Sequence, residues 1–554
     1  MRRLSLLVLL FAAVPAVADH DHMQPAATAS AADDPHALCA MAPLDVPSVL
    51  LERPVPLRKG IGNSHEKVTT QSASAQQYYD QGLNYLESYV WIEASRSFHA
   101  ALRSDPDLAM AALGLSRTYS GLDNTPEAKR WYERALALAP KASDWERSRI
   151  AIRGKQLAAL DALEDPAALI AYRKMIDDAL AYDPENVELW LLRGNAEEAN
   201  ASGRGQRGGA ASIAFYLRVL ALQPDHASAH HYLVHTYETI GQIDKALEHG
   251  AKYAKLSPQI PHAAHMWAHD LRRVGKLDEA ILQFQKAYAL EEAYYEEEKI
   301  EPGFDWHHGH NLDLLASCYQ HKGQMGLAEK TMRESGALGT KTPYLEFNRR
   351  ELPNFLIHRQ RWNDALTEAR TLTTSPFAQA RAAGHALAGQ ALIGLGRMDE
   401  ASTELTAARE QLERVPKVLP GIAPNRAQVE PWVESLRAEL LMRNGDRATG
   451  SQLMKDMIKS LRALKGPDAW SQALFRMETM ARTARDVGDW DLAGFAADQM
   501  IEHDAAYGGS HLAKALVLKQ KGDAPGAQKE VELAKKGWKD ADPELPERAL
   551  MATR

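Results

Sequence analysis

Histidine is the residue whose placement in this chain departs furthest from an even spread. Twelve of the 21 histidines fall between His226 and His321, where chance would put about four. Most of the twelve sit in three segments: His230-His231-Tyr232-Leu233-Val234-His235, His262-Ala263-Ala264-His265-Met266-Trp267-Ala268-His269 and His307-His308-Gly309-His310-Asn311. Four residues advance a helix by about 400°, so His231 with His235, and His265 with His269, each present two imidazoles on one face. Neutral imidazole suits zinc, copper, iron and nickel, and an i,i+4 pair offers two nitrogens without distorting the helix. His262 and His310 can add further nitrogens, and Asp313 or Glu238 can complete the shell or accept a proton from a ligating ring. The cofactor this predicts is a transition metal, zinc or copper. Three or four histidines around an ion with an open position would also activate water, giving metal-assisted hydrolysis or oxygen chemistry.

Residues set out this way need long helices in fixed register. From about residue 75 the chain reads as helix punctuated by proline; Pro106 and Pro140 are 34 residues apart, as are Pro224 and Pro258. Counted from Ala75, Gly82, Tyr85, Ala94, Phe98, Ala101 and Pro106 take positions 8, 11, 20, 24, 27 and 32 of a 34-residue unit. Counted from Ala109, Ser116, Tyr119, Ala128, Tyr132, Ala135 and Pro140 take the same places. Small residues at 8, 20 and 27 let helices approach, aromatics at 11 and 24 fill the gap, and proline stops the second helix. In period and in these six positions the chain resembles the tetratricopeptide repeat, a helix-turn-helix unit. Further units start at Ala227, Pro261 and Gly309, and weaker copies centre on Ala365, Ala401, Ala448, Ala493 and Ala527. The expected fold is all-α, a right-handed α-solenoid of about 11 or 12 tetratricopeptide-like hairpins.

The resemblance implies a concave groove lined by first-helix positions 2, 5, 9, 12 and 13. On that register His231 and His235, and likewise His265 and His269, hold positions 5 and 9, while His262 and His310 hold position 2. Glu238, Asp313 and His321 join them in the groove. Two His-x-x-x-His pairs on neighbouring helices would then converge from opposite sides of one or two ions. The three segments also resemble those of exported bacterial tetratricopeptide proteins in which His-His-Tyr-x-x-His, His-x-x-His-Met and His-Asn recur. That likeness spans roughly residues 70 to 335 and implies no catalytic role.

Two other roles suit the same residues. A groove of hydrogen-bonding imidazoles, with Glu238 and His321, would hold a protein or peptide partner. Closely spaced imidazoles would also repel once charged below about pH 6, giving a pH-sensitive binding module. His230, at position 4, reads as packed core; His226, His249 and His307 read as surface or turn residues.

The remaining chain narrows the class. The 554 residues carry 65 Lys+Arg against 73 Asp+Glu, a net charge of −8, which offers no basic footprint for nucleic acid. Gly203 to Gly209 is followed by no Lys-Ser/Thr, so it reads as an inter-helix loop and not a phosphate-binding loop. Nucleophile-elbow, His-Glu-x-x-His, haem-attachment and dinucleotide signatures are absent. Met1-Arg2-Arg3, the apolar run Leu4 to Val14 and Ala16-Val17-Ala18 read as a signal peptide over 1–18, predicting a periplasmic or secreted protein. No later run is apolar enough to embed in a bilayer. Residues 19–70, with Asp19-His20-Asp21-His22-Met23, read as a mobile or extended Pro/Ala-rich lead-in. Residues 71–335 form the array with the histidine groove, and 336–554 read as degenerate helical repeats. In an oxidising compartment Cys39 and Cys318 could pair, though their spacing says nothing of proximity.

Overall fold

The computed structural model describes residues 46–162, 165–198, 209–339, 342–415, 425–464 and 467–552. The signal-peptide segment, the His20-His22 tract, Cys39 and most of the Gly203–Gly209 loop lie outside the described residues. Twelve helical hairpins follow one another from Ala73 to Gly537, each packed on the next, with no strand among the described residues. This is the all-α solenoid of tetratricopeptide-type hairpins that the 34-residue period predicts. No described helix is long and apolar enough to cross a membrane.

The repeat positions do what their sizes require. In the first hairpin, Ala73–Glu87 with Trp91–Ser104, a Cβ on Gly82 would stand 2.7 Å from the Phe98 ring. Position 8 is therefore small because the position-24 aromatic fills its space. Ala94, Ala101, Ala128 and Ala135 are fully buried at positions 20 and 27. The weaker copies hold too, with one shift of register. Ala365, Ala401, Ala493 and Ala527 are buried, whereas Ala448 is exposed. Gly450 takes the close-approach place in its stead, where a Cβ would meet the Ala438 carbonyl at 2.6 Å.

Outside the third and fourth hairpins, each first helix ends in a residue that reverses the chain. In the fifth to seventh hairpins this is Gly241, Gly275 or Gly323, with φ near +76°. In the first hairpin it is Tyr89, at φ +61°, followed by the same closing bond, from Val90 N–H to the Tyr85 carbonyl. A tyrosine there is strained, and its ring turns out to lie against the histidines.

From Val46 the lead-in is extended apart from the short helix Ser48–Leu51, and it packs against the hairpins. Val55, Ile61 and Val68 are buried among the hairpins. The Gly60 carbonyl accepts from Gln259 N–H at 2.9 Å. Asn63 donates to the Asp225 carbonyl at 2.7 Å and accepts from Ala227 N–H at 3.0 Å. Arg58 and the buried Arg96 both pair with Glu298, at 2.6 and 2.7 Å. Glu298 ends the 22-residue second helix of the sixth hairpin, Leu277–Glu298. This segment and the first hairpin therefore close over the fifth and sixth hairpins, occupying the hollow that the solenoid would otherwise leave open.

The C-terminal repeats continue the stack and then return. His321 meets Asp504 at 2.8 Å, Trp538 Nε1–H donates to the His321 carbonyl, and Asp542 N–H donates to the Gly323 carbonyl. Cys318 lies buried in this region.

Candidate metal centre

Three first helices carry the histidines: Ala227–Thr239, Pro261–Arg273 and Trp306–His321, from the fifth, sixth and seventh hairpins. Their starts are fixed locally. The His226 side chain caps the first, Pro261 presets the first turn of the second, and Asp305 accepts from His307 N–H at the third. These starts put His262, His307 and His310 near the helix entrances and the i,i+4 pairs one turn deeper.

The six histidines of the predicted metal set come together, but not as two opposed pairs. Each pair takes its third member from the next hairpin, giving His231, His235 and His262 in one group and His265, His269 and His310 in the other. The stagger between neighbouring hairpins brings position 2 of one helix level with positions 5 and 9 of the helix before it. All six are buried.

The first triad is tightly convergent. Nε2 of His231 stands 3.0 Å from Nε2 of His235 and 3.1 Å from that of His262, and the last two are 3.4 Å apart. Nitrogens bound about 2.0–2.1 Å from a tetrahedral ion stand roughly 3.3–3.4 Å from one another. His231 Nδ1–H is committed to the Glu87 carbonyl at 2.7 Å, so its Nε2 carries a bare lone pair. That lone pair faces two further ring nitrogens and can accept from only one. The three nitrogens together could hold a single cation.

In the second triad, Nε2 of His265 and His269 are 2.8 Å apart. His265 donates from Nδ1 to Asn311 Oδ1 at 2.9 Å, and Asn311 is oriented by its own bond to the Phe284 carbonyl. Its Nε2 is therefore also bare. Glu238 stands 3.6 Å from His269 Nδ1. The His310 ring lies 4.8 Å from that of His265 and 5.6 Å from that of His269.

Burial pushes His231 down to about 3, against the opposing hydrogen bond to the Glu87 carbonyl. Burial, with neighbouring imidazoles, also holds His262 and His265 well below the usual histidine range. These rings stay neutral and ready to ligate. The charge change near pH 6 expected of an open cluster is moved far into acid.

Other sequence expectations need correction. Asp313 joins neither triad; it accepts from Ser335 at 2.7 Å and Asn348 at 3.0 Å. His321 reaches Asp504 instead of a groove. The first hairpin and the lead-in cover the triads and the C-terminal repeats cover His321, so Glu238, His321 and the triads are all buried and present no open groove for a peptide. His230 is core, bonded to His249 at 2.7 Å. His226 does sit at a turn, but it is buried and faces Glu188 at 3.5 Å.

His307 is the functional candidate that sequence reasoning missed. It is 6% exposed and its ring stands 5.1 Å from His262 and 4.5 Å from His265, between the two triads. Its Nδ1 bonds Glu291, which also accepts from His308 at 2.8 Å. Burial would raise Glu291, but His307 and His308 hold it at about 2. Tyr89 was missed as well; its ring lies 4.7 Å from His231 and 5.5 Å from His262. The His307-His308 doublet ahead of His310 was the available signal for the former, and nothing local marks the latter.

Residues 111–141 match the tetratricopeptide repeat family model. No curated protein matches the chain. Among solved structures it is similar to YrrB, a tetratricopeptide protein described as having an unusual peptide-binding site, at 15% identity over 35% of this chain and 91% of that one, TM-score 0.26. A tetratricopeptide protein from Parabacteroides merdae is 14% identical over 48% and 93%, TM-score 0.33. Yeast Tom70 is 13% identical over 86% and 94%, TM-score 0.33. The chain is an α-solenoid of tetratricopeptide-type hairpins in which two buried histidine triads lie where an open groove was expected.

Proposed function

We propose that this protein is an exported solenoid that holds two transition-metal ions, zinc or copper, one at each histidine triad. The observation that carries the reading is the convergence of three Nε2 atoms within 3.0–3.4 Å while the His231 proton is engaged elsewhere. An all-imidazole set suits these ions, and three protein ligands leave a further position for an exogenous ligand. Export rests on the Met1 to Ala18 pattern and is tested by fractionation with N-terminal sequencing of the recovered chain.

Untagged protein should carry two ions per chain by elemental analysis. His231→Ala should leave one, and His231→Ala with His265→Ala none. Absence of metal in the purified protein, with no zinc or copper uptake by calorimetry, ends this reading.

The repeat array favours a second role alongside the first, the binding of a protein or peptide partner. Such a partner would use surfaces other than the buried histidines. Pull-downs should therefore recover it equally from the parent and from the triad variants.

A further inference from the structure

The two triads are not separate sites on a long scaffold. The rings of His262, from the first triad, and His265, from the second, are 5.9 Å apart and within 20° of parallel. His307 is wedged against both. His307 Nδ1 bonds Glu291, and its buried Nε2 has no hydrogen-bond partner among the described residues. A ring nitrogen so placed is directed toward something the protein itself does not provide.

A cavity of about 90 Å³ lies beside His262, of the first triad, and His307, and no residue of the second triad lines it. Its other walls include Tyr89, Val90, Ile260, Leu290 and Trp306, together with the acidic Glu93, Glu291 and Asp305. At roughly 30 Å³ per water it has room for about three small molecules, the size of a ligand of two or three heavy atoms. Mostly apolar walls favour a species with little hydration to lose.

We infer that the two triads form one dinuclear centre with His307 between them, and that the cavity beside His262 and His307 is the route by which a single small linear ligand, of the size of dioxygen or a triatomic anion, reaches it. This inference rests on the metal reading above, since without ions there is nothing for it to bind. It adds the pairing of the sites, the ligand class and the route of entry.

The test uses full-length protein loaded with copper(II) to two ions per chain, with sodium azide as the probe. One azide should bind per pair of coppers, giving one charge-transfer band that saturates at that ratio. The paramagnetic resonance signal should fall from two spins to well below one as it binds. Val90→Trp fills the cavity and should keep both coppers while weakening azide binding at least tenfold. Leu290→Trp narrows it from the sixth hairpin and should do the same should Val90→Trp fail to fold. Two azides per pair with an undiminished spin count would overturn the dinuclear pairing. Unchanged azide affinity in a folded, fully loaded cavity variant would overturn the entry route. Failure to take up copper at all would be a different result, ending the metal reading and this inference with it.

Discussion

The carbonyl of Glu87 accepts the Nδ1 proton of His231 across 144 residues of chain. Through that bond the end of the first helix in the array sets the tautomer of a histidine in the fifth hairpin. The ligating face of the first triad is thus a product of the closure of the solenoid and not of one helix alone.

The second triad has a supporting bond that can be removed without touching a ligand. Asn311→Ala takes away the acceptor that holds His265 Nδ1–H. Outer partners of this kind are worth about 10–100-fold in metal affinity, so calorimetry should show one of two sites weakened by that factor and the other unchanged. Asn311→Asp, which keeps an acceptor, should recover much of the loss.

Tyr89 sets backbone strain against ring packing. Replacing a left-handed non-glycine residue with glycine relieves about 1–2 kcal/mol, while removing a buried aromatic side chain costs about 3–5 kcal/mol. Tyr89→Gly should therefore lower the urea midpoint, by an amount worth about 2–3 kcal/mol. Gln360 holds the equivalent turn of the eighth hairpin at φ +57° with its side chain exposed. Gln360→Gly should raise the midpoint by about 1 kcal/mol. Equal effects in the two variants would show that the Tyr89 ring contributes nothing to packing.

The period-setting contact can be tested directly. Gly82→Ala would place a methyl 2.7 Å from the Phe98 ring, and overpacking of this kind costs about 1–3 kcal/mol. Adding Phe98→Leu to Gly82→Ala should return part of that loss, because the smaller side chain vacates the space.

A pH dependence arises away from the two triads. Glu478 is buried, accepts from the Tyr507 hydroxyl at 2.8 Å and stands 3.7 Å from His358. Burial pushes it up to about 7, against the Tyr507 bond, with Glu547 adding to the rise and Arg485 and Arg359 opposing it. Between about 4.5 and 7 the unfolded chain has released this proton and the native state still holds it. Stability should therefore fall as pH rises through that window, by at most about 1.4 kcal/mol per unit, and level off above it. Burial holds His358 well below its usual range, so it contributes with the opposite sign below about 6.5. The difference in denaturation midpoint between parent and Glu478→Gln isolates the carboxyl, and a flat difference from pH 4.5 to 8 would refute its shift.

What the sequence made legible was local. Residue spacing announced the hairpins, the shared face of each i,i+4 pair and the position-2 histidines, because helical periodicity records which side chains lie together. It could not announce that His262 would serve the pair before it, since that depends on the stagger between repeats. Asp313 and His321 share the favoured face yet lie at the wrong depth, beside Asn348 and Asp504. The burial of the whole set escaped prediction for the same reason that Glu87 did: the curvature that brings the first hairpin onto the fifth accumulates from small rotations at every joint.

The return of Trp538 to the carbonyl of His321, together with the Arg96–Glu298 pair at the opposite end, gives this array two loops of contact that bypass its neighbours. A ladder of repeats ordinarily comes apart rung by rung, its stability a sum over adjacent units. Here loosening either terminus would have to release a distant middle rung at the same time, so the ladder should melt with the cooperativity of a knitted globule and tolerate trimming at neither end.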